Sequence, residues 1–230
     1  MTLARAEAAE PEHAALDIAG ERLILRADRS VYWPRTATLF VADTHFGKAG
    51  VFRRHGMGLP QGTTDADLAR LGAAIAATEA SRVVVLGDFV HAPPAADEPW
   101  LARFAAWRAG HAGVDFRVLR GNHDRMDAVP AAFDVDWQAG ARLEAPFVCR
   151  HEPAHDPRGP VLAGHLHPVV VLRDGGERLR LPAFWAHAEG LVLPAFSSFA
   201  GGAAVTPAAG DRLFVIGGDR VIEVATGADR

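Results

Sequence analysis

The sequence predicts a mixed α/β domain in which layers of sheet and helix surround one core. Three observations carry that expectation. Up to residue 119, unbroken apolar runs alternate with segments of helical spacing. Beyond residue 130 the helical spacing fades into short strand-like pieces separated by Gly and Pro. The chain has 230 residues and is 49% hydrophobic, enough to bury a substantial core.

Taken in order, residues 1–18 read as an N-terminal extension with a frayed or weakly helical start over 1–15, and residues 19–227 as one domain. Arg22–Arg26 and Thr38–Ala42 read as strands, the second an apolar run suited to a sheet covered on both faces. Lys48, Arg53 and Arg54 fall in a short helix-like segment, G-K-A-G-V-F-R-R-H-G. Thr64–Asp67 has the form of a capping box with Asp in the Glu position, and Leu68, Leu71 and Ile75 continue at helical spacing toward Thr78. Val83–Leu86 is another buried strand. Asp97–Ala109 is a helix with Trp100, Phe104 and Trp107 along one core-facing side, and Val114–Leu119 is the next strand. Strand-like pieces then follow at Pro146–Arg150, Val161–Ala163, Val169–Arg173, Arg178–Pro182, Leu213–Ile216 and Val221–Val224.

Composition excludes several classes. A net charge of −4 is unlike a protein that coats duplex nucleic acid by neutralising phosphates. The single Cys149 rules out an internal disulfide and a multi-cysteine zinc site, and reads as a small buried hydrophobe. No apolar stretch approaches the ~20 residues a membrane span needs. The first residues carry no hydrophobic signal segment, so a cytoplasmic location is expected.

The histidines carry the functional signal. His45, His91, His123, His151, His165 and His167 each follow an apolar, strand-like run, whereas the other five of the eleven do not. They belong to five clusters: Asp43-Thr-His45, Gly87-Asp88-Phe-Val-His91, Gly121-Asn122-His123-Asp124, His151, and Gly164-His165-Leu-His167. D-x-H, G-D-x-x-H or His151 alone reads as ordinary turn or loop chemistry, whereas H-x-H alone reads equally as a turn or a metal site. Together they place Asp, Asn and His at the ends of five strands, where α/β sheets bind ligands. Oxygen and imidazole donors without thiolate suit Mn, Fe or Zn. Asp43, His45, Asp88, Asn122, His151, His165 and His167 are too many for one tetrahedral ion and suit two ions sharing a carboxylate. Lys48, Arg53 and Arg54 read either as contacts for substrate phosphates or as a solvated helical face.

The ordered set D-x-H, G-D-x-x-H, G-N-H-D, H, G-H-x-H resembles the calcineurin-like metallophosphoesterase superfamily. The resemblance implies a single-domain, four-layer α/β/β/α sandwich with a two-metal site. Asp43, His45 and His167 would hold one ion, Asn122, His151 and His165 the other, and Asp88 would bridge them. It also implies that His123 approaches the leaving group or a phosphate oxygen, oriented by Asp124, with His91 either behind the ligands, supporting them, or on the substrate side. The stretches V-A-D-T-H-F-G-K, F-R-R-H-G-M-G-L-P-Q-G-T-T, L-G-D-F-V-H and L-P-A-F-S-S-F-A-G-G are similar to the bacterial DNA-ligase-associated metallophosphoesterases, over about residues 20 to 225. These occur beside an ATP-dependent DNA ligase and a helicase in predicted repair clusters. The implied activity is phosphodiester hydrolysis by a metal-bound hydroxide, as a nuclease or phosphodiesterase in DNA repair. The implied cofactor is two divalent ions, Mn2+ first, with Fe or Zn as alternatives. A phosphodiesterase or phosphatase for a small molecule such as a cyclic nucleotide, and a non-catalytic scaffold, remain open.

Overall fold

The computed structural model describes residues 12–54, 62–174 and 177–225, the side chains of 53, 54, 173, 174 and 177 excepted. The expectation for residues 1–11 lies outside the described residues. The chain departs from expectation at once: His13–Ile18 (β1), assigned above to the extension, pairs antiparallel with Glu21–Arg26 (β2). Two alanines there favour helix by propensity, but burial of Leu16 (3% exposed) in the core outweighs them. Val31–Trp33 (β3) and Thr38–Val41 (β4) continue the antiparallel ladder. Every residue of β4 is buried, as its apolar run predicts.

Lys48–Arg54 (α1) and Thr63–Thr78 (α2) follow. The expected capping box does not form. The helix α2 starts from Gly62 in a left-handed conformation, with no side-chain cap. Thr64 Oγ1 instead accepts from the Gly47 N–H (3.3 Å), and the buried Asp67 carboxylate accepts from the Ser198 N–H (3.2 Å) and pairs with Arg70 (3.0 Å). Both side chains have been recruited by distant loops, a tertiary demand that local pattern does not encode.

Arg82–Val85 (β5) lies parallel to β4, and Pro99–Ala109 (α3) precedes Asp115–Leu119 (β6), parallel to β5. Asp136–Gln138 (β7) closes a seven-stranded sheet in the order β1-β2-β3-β4-β5-β6-β7. The second half of the chain supplies Arg142–Glu144 (β8), Phe147–Cys149 (β9), Val161–Ala163 (β10), Pro168–Asp174 (β11), Glu177–His187 (β12), Gly190–Val192 (β13) and Ala203–Ala204 (β14). Arg212–Gly217 (β15) and Arg220–Val224 (β16) end it. The second sheet has the order β14-β11-β12-β13-β10-β9-β8, with β15 and β16 attached beside β12.

The two sheets stack face to face. Phe40, Val84 and Leu119 of the first pack with Phe147, Leu162, Phe184 and Phe214 of the second in one apolar cluster. The other face of the first sheet carries α2 and α3, sealed by Leu71, Phe89, Trp100 and Phe104. The mixed α/β class and two-sheet arrangement are thus as expected. Among the described residues no α-helix covers the outer face of the second sheet. There Leu143, opposite Val148, is half exposed. No helix among the described residues is long and apolar enough to cross a membrane.

Phe104 is fully buried among Phe46, Phe89, Phe116, Phe133 and Trp107, with ring centroids 4.4 to 6.5 Å away. Phe104→Ala is expected to lower the unfolding free energy by about 3–5 kcal/mol. Urea denaturation checks this, and a loss under about 1 kcal/mol would contradict the rigid packing of this layer.

Candidate metal centre

The carboxyl ends of β4, β5, β6, β9 and β10 converge at one edge of the stacked sheets, and each is followed by one predicted cluster. Local backbone geometry at these ends is unusual. Asp43 (φ 53°), His45 (45°), Asp88 (49°), His165 (69°) and His167 (46°) all adopt positive φ. Non-glycine residues rarely do so, and each instance costs on the order of 1–3 kcal/mol. The chain must reverse sharply there to turn side chains inward. The loops are laced together by main-chain bonds: Asp43 N–H to Gly87 O (3.1 Å), His45 N–H to Asp88 O (2.8 Å), and Phe196 N–H to Ala42 O (2.7 Å) from the second sheet's side.

Glycines make the convergence possible. A Cβ on Gly121 would lie 2.1 Å from Asp88 Oδ1, and one on Gly164 would lie 2.5 Å from Asp43 Oδ2. Gly87 combines positive φ (84°) with a ring contact, since a Cβ there would fall 2.3 Å from His151 Nδ1. The need at Gly121 is therefore space for a carboxylate.

The structure brings all seven proposed metal ligands together. Asp43 and Asp88 are buried (0% and 2% exposed). Ligand atoms of Asp43, His45 and His167 lie within 4.8 Å of one another, as do those of Asp43, Asp88 and His151. Asn122 Oδ1 sits 2.8 Å from His151 Nε2 and 3.2 Å from His165 Nδ1. Asp88 spans both halves, one oxygen 3.9 Å from His45 Nε2 and the other 3.5 Å from His151 Nε2.

The donor set fits divalent cations. His151 Nδ1 faces Leu86 O at 3.1 Å and His167 Nδ1 faces Gly201 O at 2.9 Å. Both rings donate from Nδ1 to a carbonyl, which leaves Nε2 as a lone-pair donor, the usual tautomer of a metal-ligating histidine. His45 Nε2 and His167 Nε2 then face each other at 3.4 Å, and His151 Nε2 faces His165 Nδ1 at 3.1 Å. Ring nitrogens gathered this closely, beside two buried carboxylates, suit a positive charge between them. Burial also holds His45 neutral, its pKa down to about 2, with Lys48 adding to the shift. His167 goes the other way. Burial opposes its charge, but the hydrogen bond and charge of Asp43 outweigh it and raise the pKa.

One expected role changes. Asp124 does not hold His123. Its carboxylate is buried and accepts from the N–H groups of Gly121 (2.8 Å), Val90 (2.8 Å) and Phe89 (3.1 Å). Burial pushes its pKa up to about 6 against those three donors. The His123 ring is oriented by His91, whose carbonyl oxygen lies 3.0 Å from His123 Nδ1. His91, expected behind the ligands or on the substrate side, stacks on His123 (5.0 Å between centroids) and joins His45 and His123 as a further group of clustered ring nitrogens. Lys48 lies half-buried beside them, its pKa lowered by burial despite the pull of Asp88. Arg53 and Arg54 belong to α1, but their side chains lie outside the described residues. Sequence reasoning missed Gly87, Gly164 and the Gly201 carbonyl, although the Gly preceding Asp88 and the Gly preceding His165 stood in the quoted motifs.

Residues 37–156 match the calcineurin-like phosphoesterase family. The chain is similar to the solved nuclease MPE of Pseudomonas putida, with 38% identity over 92% of this chain and 100% of that one, at a TM-score of 0.79. A phosphoesterase from E. coli, Yfce, aligns at 17% identity over 83% of this chain and 99% of that one, with a TM-score of 0.40. No curated protein matches. The fold and donor set define a metal-dependent phosphoesterase. The chain belongs to the calcineurin-like phosphoesterase family.

Asp124→Asn is expected to cost about 1–3 kcal/mol of stability, because an amide cannot accept all three N–H groups. Equilibrium unfolding tests it, and an unchanged stability would refute the fastening role. Cys149 is fully buried with its thiol pKa raised by that burial. Iodoacetamide should leave it unmodified in the native protein and alkylate it only after denaturation, as read by mass spectrometry.

Proposed function

We propose that the protein hydrolyses phosphodiester bonds of nucleic acid with two divalent ions held at the strand-end cluster, Mn2+ foremost. The observation that carries this reading is Asp88 set between two groups of inward donors. Asp43, His45 and His167 would hold one ion, and Asn122, His151 and His165 the other. Such ions polarise a phosphoryl oxygen and lower the pKa of water.

The protein's own residues do the rest. His123, with its Nδ1–H committed to the His91 carbonyl, presents Nε2 toward the site and, as the imidazolium, would pass the Nε2 proton to the leaving oxygen. Its side chain is 39% exposed, open to a substrate. Lys48, whose charge acts on His45 and His91, would contact a substrate phosphate. A cavity of about 280 Å3 beside Asn122 and His151 is lined by Arg120 and Arg150, which suits flanking phosphates. Similarity over nearly the whole chain to a protein described as a nuclease supports nucleic acid as substrate. Work in DNA repair beside a ligase and a helicase completes the reading and rests on the resemblance of the loop motifs.

With Mn2+ supplied, the protein should cleave bis-p-nitrophenyl phosphate and DNA or RNA. Turnover of cyclic nucleotides alone would assign a small-molecule phosphodiesterase, and inertness toward every phosphoester in several metals would leave a scaffold. His123→Ala should lower kcat about 10²–10⁴-fold while elemental analysis finds the metal content unchanged. A variant that loses its metals, with activity tracking occupancy, would make His123 a ligand instead.

A further inference from the structure

All twelve phenylalanines lie in described residues, and ten are buried in the two large cores. The other two, Phe52 on α1 and Phe199 in the loop before β14, belong to neither core and are partly exposed. They meet edge-on, centroids 6.1 Å apart. Lys48 Nζ lies 5.9 Å from one ring centroid and 6.0 Å from the other.

This corner adjoins the metal centre. Phe52 stacks on His91 (5.6 Å, 23°) and His91 stacks on His123 (5.0 Å, 21°), so three nearly parallel rings lead from the proposed proton donor to the aromatic pair. Two residues of such cost to expose, brought together from distant parts of the chain, have no packing role that the cores explain. The remaining surface offers less. Among the described residues, the cavity between α1 and the starts of α2 and α3 shows nothing aimed at a ligand, and the exposed Leu172 and Leu179 on the β11–β12 hairpin have no neighbour that names a partner.

The geometry points to a nucleobase subsite: Phe52 and Phe199 form a platform for the base of the nucleotide next to the scissile phosphate, and Lys48 holds the phosphate beside it. This rests on the nucleic-acid reading above. Every base has a face that an aromatic ring can stack on, so the subsite recognises a base without reading which one it is. Lys48 Nζ lies 5.9 and 6.0 Å from the two ring centroids, and the charge of Asp88 acts on it, so the ring pair and the strand-end cluster share one cation.

The test compares a thymidine oligonucleotide with an equally long abasic oligomer whose sugars carry no base, both with Mn2+. The wild-type protein should favour the thymidine oligomer in kcat/KM. In Phe52→Ala/Phe199→Ala that preference should fall roughly 10- to 100-fold, whereas Phe52→Trp should retain it. A thermal melt confirms that each variant is folded, and Phe52→Leu, which keeps the bulk but not the aromatic face, stands in if the double variant is not. A preference that survives in the double or Leu variant, or is absent from the wild type, overturns the subsite. Fluorescence anisotropy gives the same preference as a ratio of binding constants, independent of turnover. Base-dependent binding that the Phe variants abolish, without cleavage of either oligomer, would keep the subsite and remove the nuclease reading. Equal binding of the two oligomers would remove the subsite whatever is cleaved.

Discussion

Two carboxylates that have lost their water organise this protein. Asp43 and Asp88 are almost wholly buried, and their ion-pair partners within 4.0 Å among the described residues are histidines alone. An ionised carboxylate in such surroundings is expensive unless opposite charge and hydrogen bonds attend it. Main-chain donors supply part of the need, the His165 N–H to Asp43 and the His123 N–H to Asp88. The rest falls to cations. The same feature that makes the pocket unstable by itself therefore makes it bind divalent metal, and the surrounding loops exist to hold that imbalance in place.

Holding it requires strained backbone, and the sheets provide the rigidity. Five positive-φ residues at three strand ends would relax in a mobile loop. Here each turn is fastened to another: the loop after β4 to the loop after β5, and the 196–197 segment to the end of β4. Arg29 anchors that last segment by donating to the carbonyl oxygens of Ala195 and Ser197, and burial lowers its pKa. Through Gly201 the same stretch orients the His167 ring. The L-P-A-F-S-S-F motif, which carries no metal-ligating side chain, thus positions the site through its backbone.

What could be read in the sequence divides along a physical line. The buried parallel strands β4, β5 and β6 were legible because a strand covered on both faces is apolar throughout. The ligand set was legible because metal chemistry restricts residue types. Strands β1, β3, β7, β8, β13 and β14 were not foreseen. Two or three residues each in the last five cases give no periodicity to read, and β1 is alanine-rich. Asp124 was misread for another reason. A carboxylate beside a histidine in sequence suggests a pair, but successive side chains at a strand end point in different directions, and Asp124 turned toward the backbone N–H groups of the neighbouring loop. Phe52 and Phe199 carry no local signal that separates them from the ten core phenylalanines. Only the fold shows which are left outside.

The reassignment of Asp124 alters how the site holds together. Because its carboxylate takes the N–H groups of Phe89 and Val90, the loop after β6 grips the loop after β5. The grip is returned, since Asp88 accepts from the His123 N–H and the His91 carbonyl accepts from the His123 ring. The proposed bridging carboxylate and the proposed proton donor therefore belong to one interlocked unit. Backbone hydrogen bonds set the distance between the two. A neutral carbonyl, and not the adjacent Asp124 carboxylate, sets the direction of the His123 ring.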